Sequence, residues 1–403
     1  MVLCSMAAAL ALSPSCRSAP APRPAAPAPP PSSVPPPAPA SKTPVSCRPE
    51  RDRALPPTEN GQQRRCLIDV GSRNVKLVVD VARGSDPRSL AAERTCRARL
   101  QLGEKTFDQK TQSARELAGE DLDELGALVA NYAAICAADH GDMVGAVATE
   151  WARRAANPDE VRAAIKGRTG IELEVLTRDR EARLGYLAAT RGARGKLVLD
   201  FGSRSLQLSY WPRSAAAPVA ASLPLGIDEQ GDRFFGRPEY HRYAAARADL
   251  LTALRGGLGP ALSLMKAALK AGELSGDLVS LGENGDVPLA LEGRLWDAAG
   301  HRGVDEAAYS ALVKARPPGS SPDLGKVTAV LEARQILELG QQIENDVALF
   351  DELRSARIKR VYGYKMLAYP ALVGALVEDL GVRRVVLVPQ EMSEGLLVER
   401  LSR

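Results

Sequence analysis

The chain has 403 residues, a formal net charge of +4, 45% hydrophobic residues and only 4% aromatic ones. That length fits two domains with aliphatic cores. The small, interleaved charge excludes a clustered basic face for nucleic acid, and no stretch is long and apolar enough for a membrane-spanning helix.

The first sixty residues hold more than half of the 29 prolines, in runs such as APAPPPSSVPPPAPA. Such a segment buries too little apolar surface to offset its ordering entropy, so residues 17–63 are expected to be a disordered, polyproline-like linker. Ahead of it, residues 2–12 form a short apolar run followed by Ser-Pro-Ser-Cys16. Residues 1–16 therefore look like an export leader without its positive n-region, and the alternative is an Ala-rich N-terminus with no targeting role. Cys16 before a Pro/Ala tether resembles a bacterial lipoprotein, although Ser13, Pro14 and Ser15 fit a lipobox poorly. Export would place the protein in the cell envelope or periplasm, with a lipid tether through Cys16; the alternative is the cytoplasm. Cys47, Cys66, Cys96 and Cys136 then suit either two disulfides or buried thiols. No CxxC spacing exists and there are three histidines, which excludes an ordinary zinc motif.

From residue 64 the pattern alternates strands and helices. Residues 66–70 and 75–81 read as a hairpin, with a third strand at 95–102 and an amphipathic helix at 114–138. A strand at 143–148 follows. Asn157-Pro158 opens a helix running to about residue 168, because Asn caps and Pro suits the first helical position. A short strand at 173–176, a helix at 179–190 and a small, flexible hinge at 191–195 complete the first half. The second half reads as a hairpin at 196–210, a strand at 219–223, helices at 244–254 and 260–271, and a strand at 278–281. It ends with a helix at 326–349, a short strand at 360–363, a helix at 365–380, a strand at 384–388 and a helix at 393–401.

Two stretches repeat each other. CLIDVGSRNVKLVVD (66–80) and KLVLDFGSRSLQLSY (196–210) each bring an Asp to a Gly-Ser turn, matching Asp69, Gly71, Ser72 and Arg73 to Asp200, Gly202, Ser203 and Arg204. A turn of this kind presents backbone N–H groups to an anion beside one carboxylate. The repeat implies two related half-domains, residues 64–192 and 193–403, facing each other across a cleft. The terminal helix is placed to pack back on the first.

These two stretches resemble the phosphate loops of the exopolyphosphatase and guanosine pentaphosphate phosphatase (Ppx/GppA) family. ATEWARRAANPDEVRAAIKGRTGIELEVLTRDREARLGYLAA (148–189) is similar to that family's run from a phosphate-binding Arg to a Glu-Ala-Arg-Leu motif. SLPLG (222–226) and GVRRVVLVPQEMSEGLLVERL (381–401) resemble later segments. The resemblance implies an α/β fold of two ribonuclease H-like, actin-like ATPase domains with mixed sheets flanked by helices. It also implies a Mg²⁺-dependent phosphoanhydride hydrolase that releases terminal phosphate from polyphosphate or a related substrate, with no nucleic-acid partner and with a homodimer left open.

On that resemblance, Asp69 and Asp200 hold the metal. Glu181 is the general base, Arg153 clamps phosphate, and Gly71, Ser72, Arg73, Asn74, Gly202, Ser203, Arg204 and Ser205 contact phosphate oxygens. Taken alone, Glu181 also suits a helix-face ion pair with Arg178, and each Asp a carboxylate capping its own turn. The sequence departs from the family at Gln207, which stands at an acid position and is assigned beside Glu181 in the catalytic group. It departs also at Ser203 and Arg204, which replace glycines, and at Ser393, which replaces an arginine. Arg73 and Arg204 thus read either as extra anion clamps or as residues that merely fill space or pair with acids after catalysis was lost. The rival functions are a non-hydrolysing polyphosphate- or nucleotide-binding relative and a small-molecule kinase, for which residues 282–286 make a poor adenosine site.

Overall fold

The computed structural model describes residues 41–402 apart from 109, 110, 112, 238, 283–323, 325, 326, 356, 359 and 360. The first half opens with β1 (Ser46–Arg48), β2 (Gln62–Val70), β3 (Asn74–Arg83), β4 (Ala91–Arg99) and α1 (Leu102–Thr106). It continues through α2 (Gly119–Ala138), β5 (Asp142–Ala148), α3 (Glu150–Arg154), α4 (Pro158–Thr169), β6 (Leu173–Val175) and α5 (Arg178–Thr190). Its sheet has the order β1-β4-β3-β2-β5-β6, antiparallel as far as β2 and parallel beyond it.

The second half repeats this plan with β7 (Leu197–Phe201), β8 (Leu206–Tyr210), β9 (Val219–Leu223), α6 (Ile227–Gln230), α7 (Tyr243–Lys270) and β10 (Asp277–Leu281). It closes with β11 (Ala329–Glu332), α8 (Ala333–Asn345), α9 (Val347–Ser355), α10 (Gly363–Met366), α11 (Ala368–Leu380), β12 (Arg384–Val388) and α12 (Glu394–Leu401). Its sheet runs β9-β8-β7-β10-β12-β11. Five strands follow the same order and sense in both halves: β4-β3-β2-β5-β6 and β9-β8-β7-β10-β12. The fold is α/β with two mixed, helix-flanked sheets, as the family resemblance implied.

The central strands β2 and β7 are apolar on both faces, as strands covered on both sides must be. One face of the first sheet buries Leu125, Leu128, Val129, Tyr132 and Ile135 of α2. The second half buries α7 and α11 in the same way. A third cluster joins the halves: Leu67, Val147, Val198, Val279 and Val386 of the two sheets meet Leu184, Leu187, Leu396 and Leu397 of α5 and α12.

Five elements differ from the sequence reading, each through contacts beyond its own segment. Residues 41–63, expected in the linker, include β1, whose Cys47 is joined to Cys96 of β4. The Thr43 N–H donates to Glu124 at 2.8 Å, and Arg94 donates to the Arg51 carbonyl at 3.0 Å. The third strand ends at Arg99, because the Leu100 and Gln101 N–H groups turn to the Arg73 carbonyl and α1 begins. Helix α2 starts at Gly119 rather than 114, since the Leu117 N–H bonds Asn157 Oδ1 at 2.9 Å. The expected helix at 326–349 is instead β11, α8 and α9: residues 329–332 add an antiparallel strand to β12, and Glu332 with Gln335 forms a capping box for α8. Helix α7 runs unbroken through Pro260, because Leu250, Leu254, Leu258 and Met265 bury one face on both sides of it. The glycine-rich residues 283–286 lie outside the described residues.

Candidate active site

The two Gly-Ser turns have the same internal bond. The Gly71 N–H donates to the Asn74 carbonyl at 3.0 Å, and the Gly202 N–H donates to the Ser205 carbonyl at 3.0 Å. Each turn is buttressed by the short helix after its third strand. The Gly103 N–H of α1 donates to the Ser72 carbonyl at 2.8 Å, and the Asp228 N–H of α6 donates to the Ser203 carbonyl at 3.1 Å. Gly226, last residue of SLPLG, lets α6 close on the second turn, since a Cβ there would overlap the Arg204 N atom and the Ser203 carbonyl.

Strand register places matching residues in two cross-strand rows. Asp69, Lys76 and Arg97 are neighbours across β2, β3 and β4, and Asp200, Gln207 and Ser222 are neighbours across β7, β8 and β9. Burial raises the Asp69 carboxyl to about 6, with Lys76 opposing the rise and Glu391 adding to it. Burial also raises Asp200 well above the ordinary range, and the charges of Glu181, Glu391 and Asp69 raise it further. The two aspartates therefore feel each other from opposite halves.

Glu150 is the hub between α3 and α5. Its carboxylate accepts from Arg153 at 2.6 Å, Arg154 at 2.9 Å and Arg178 at 3.0 Å, and it is almost fully buried. Burial works against its ionisation, but the hydrogen bonds from Arg178 and Arg153 prevail and lower its pKa. Arg153 reaches onward to Glu181 Oε2 at 2.7 Å and to the Leu176 carbonyl at 2.6 Å. The Ser205 hydroxyl donates to Glu181 Oε1 at 3.2 Å, and Gln207 Nε2 donates to Ser205 at 2.8 Å. Glu181 is buried, and that burial raises its pKa while Arg153 pulls it back. So Arg178 pairs with Glu150 rather than Glu181, and Glu181, Arg153, Ser205 and Gln207 form one chain into the second turn.

The turn arginines cross between the halves. Arg73 of the first turn forms an ion pair with Asp228 of α6. Arg204 of the second turn lies against α1, its Nε being 3.2 Å from the position of a Cβ at Gly103. Arg204 also faces Glu229 at 3.7 Å, and Glu229 is held by Arg154 of α3 at 2.6 Å. Both turn arginines thus face acids of α6.

Sequence reasoning missed Glu150, Lys76, Glu391, Asp228 and Glu229. The alternation through Asn74, Val75 and Lys76 was a usable signal for Lys76, since it puts Lys76 on the face of Asp69. Glu391 had none: it lies next to the first half only because the chain after β12 returns there, pairing with Lys76 at 2.8 Å and Arg97 at 3.3 Å. Among the described residues, no three His, Cys, Asp or Glu side chains gather into a metal-binding group.

Comparison with known proteins agrees with the motifs. Residues 77–255 match the model of the Ppx/GppA phosphatase family. The chain is 25% identical over 343 residues to Exopolyphosphatase 1 of Mycobacterium leprae, covering 83% of this chain and 89% of that protein. With Exopolyphosphatase 1 of Mycobacterium tuberculosis H37Rv it shares 26% identity over 350 residues, covering 83% and 88%. In structure it resembles the Aquifex aeolicus Ppx/GppA family member, with a TM-score of 0.58, 19% identity, and coverage of 84% of this chain and 98% of that one. An exopolyphosphatase from Cytophaga hutchinsonii gives a TM-score of 0.56 at 17% identity, with coverage of 84% and 98%. The family resemblance read from the two turns and the residue 148–189 segment is thereby borne out, and so is the fold.

Proposed function

We propose that this chain, a relative of the Ppx/GppA phosphatases, is a phosphoanhydride hydrolase that releases terminal phosphate from polyphosphate. The observation that carries this reading is the buried Glu181. It is anchored by Arg153 on one oxygen and by Ser205 on the other, and it lies near enough to Asp200 for their charges to interact. A carboxylate whose pKa is raised by burial is suited to accept a proton from water.

Gly71 and Gly202 close the two turns with their own N–H groups and keep them narrow, so phosphate oxygens would be met by the Ser72 and Ser203 N–H groups and by Arg73, Asn74, Arg204 and Ser205. Asp69 and Asp200 would hold Mg²⁺. They fit because they are buried hard-oxygen donors, each raised in pKa partly by neighbouring acids, and because Mg²⁺ is commonly held by one or two carboxylates with waters and substrate phosphates. Such an ion would supply charge neutralisation at the bridging and terminal oxygens. Glu181 then orients the attacking water and takes its proton, while Gln207, which can donate a hydrogen bond but take no proton, holds Ser205 in place.

Cys47–Cys96 and Cys66–Cys136 support an oxidising compartment, and with it an envelope location and an extracytoplasmic polyphosphate substrate. The test is phosphate release from polyphosphate with Mg²⁺, compared with guanosine pentaphosphate in parallel. Steady release that is abolished by Glu181→Gln supports the reading. Binding without turnover would favour the non-hydrolysing alternative, which Gln207 at an acid position motivates.

A further inference from the structure

We propose that Asp228 and Glu229 occupy an anion subsite formed by Arg73, Arg154 and Arg204, and that a condensed phosphate chain binds there by displacing these two carboxylates. The inference rests on the condensed-phosphate reading of the site and adds to it an internal competitor for the substrate.

The three arginines come from three separate segments: the first turn, α3 and the second turn. All three converge on two consecutive acids of α6. Asp228 takes Arg73, while Glu229 takes Arg154 and faces Arg204. Arg204 is 7% exposed, and its Nη1 has no hydrogen-bond partner among the described residues. A buried guanidinium N–H without an acceptor is costly, and an anion in that place would satisfy it. Arg154 would keep Glu150 when Glu229 leaves, so the arginine stays aimed.

Arginine forks recognise carboxylate and phosphate oxygens by the same geometry, so two carboxylates on neighbouring residues imitate two linked phosphate units. A tripolyphosphate can replace both at once, whereas orthophosphate can satisfy only one fork. Helix α6 has four residues and passes directly into a π-helical turn at Gly231–Phe235, a rare conformation and a common mark of functional segments. A ligand shifts such an equilibrium only by its differential affinity for the released state, so removing a competing carboxylate must appear as tighter binding.

The experiment is calorimetry of tripolyphosphate with the full chain in EDTA, so that turnover plays no part. Asp228→Asn and Glu229→Gln are each expected to tighten tripolyphosphate binding about tenfold, with a smaller gain for orthophosphate. Arg73→Gln added to Asp228→Asn is expected to cancel the gain. Unchanged or weaker binding in both single variants overturns the proposal, as does a gain that survives Arg73→Gln or that is equal for orthophosphate. Thermal unfolding of each variant checks folding; if Asp228→Asn does not fold, Glu229→Gln with Arg154→Gln serves as the equivalent pair. Absence of phosphate release by the unaltered chain would instead remove the hydrolase reading and leave the calorimetric comparison standing.

Discussion

The Ser205 hydroxyl donates to Glu181 Oε1 at 3.2 Å, tying the second turn to α5 through one buried carboxylate. Glu181→Gln keeps the shape and removes the base. It is expected to lower kcat for phosphate release by about 10²–10⁴-fold with little change in KM. A loss of less than tenfold, measured by steady-state release from polyphosphate, would take Glu181 out of the proton-accepting role.

The pH profile should report the same group. Burial raises the Glu181 pKa and Arg153 partly offsets this, while the charge of Glu150 adds to the rise. The active form is the carboxylate, so kcat/KM should fall as pH drops through a value above the ordinary glutamate range. Arg153→Gln removes the stabilising cation and should move that acidic limb to higher pH. A limb that stays in place or moves lower contradicts the assignment.

A second group of buried charges lies at the junction of the halves. Asp80 of β3 is fully buried, and neither of its carboxylate oxygens has a hydrogen-bond partner among the described residues. Burial, and then the charge of Glu394, raise its pKa well above the usual value, with Arg191 opposing. Because the folded pKa is raised, the fold favours the protonated acid, and stability is lost as pH rises through that value. Asp80→Asn should therefore be more stable than the parent at pH 8, by roughly 1–3 kcal/mol, with the difference shrinking toward pH 4. Denaturant unfolding at the two pH values measures it, and a difference independent of pH would refute the account.

Gly395 at the start of α12 meets the backbone of α5. A Cβ there would overlap the Leu184 carbonyl, which cannot swing away as a side chain could. Gly395→Ala should destabilise by about 3 kcal/mol, because two packed helices must separate. Gly185→Ala, whose Cβ would lie 3.2 Å from Asp200 Oδ2, should act more on activity than on melting temperature. Equal melting temperatures for Gly395→Ala and the parent would show that the helices have room.

The Cys66–Cys136 disulfide joins β2 to the end of α2 across 70 residues of sequence. Replacing both cysteines with alanine should cost about 2–4 kcal/mol, since the unfolded chain regains the closed loop's entropy. Chemical denaturation of the double variant checks this. The Cys47–Cys96 bond holds only the edge strand β1, so its removal should cost less.

Local pattern carried much of this molecule. The alternation around Asp69 and Asp200 identified both central hairpins, and β9 and β12 were legible residue by residue as apolar runs. Residues 148–189 carried the family resemblance, because cap, helix period and motif spacing are properties of neighbouring residues. What neighbours do not fix was decided by the tertiary structure. Residues 329–332 became a strand because an edge of β12 was open to them, and residues 46–48 left the expected linker because β4 accepted them. Arg73, which the sequence left between clamp and filler, met Asp228 only when α6 of the second half lay beside the first turn, and Arg204 faces Glu229 of the same helix. Charge pairing acts through space over a few ångströms, so the sequence by itself determined which strands and turns exist, and only the folded chain decided which charges meet between them.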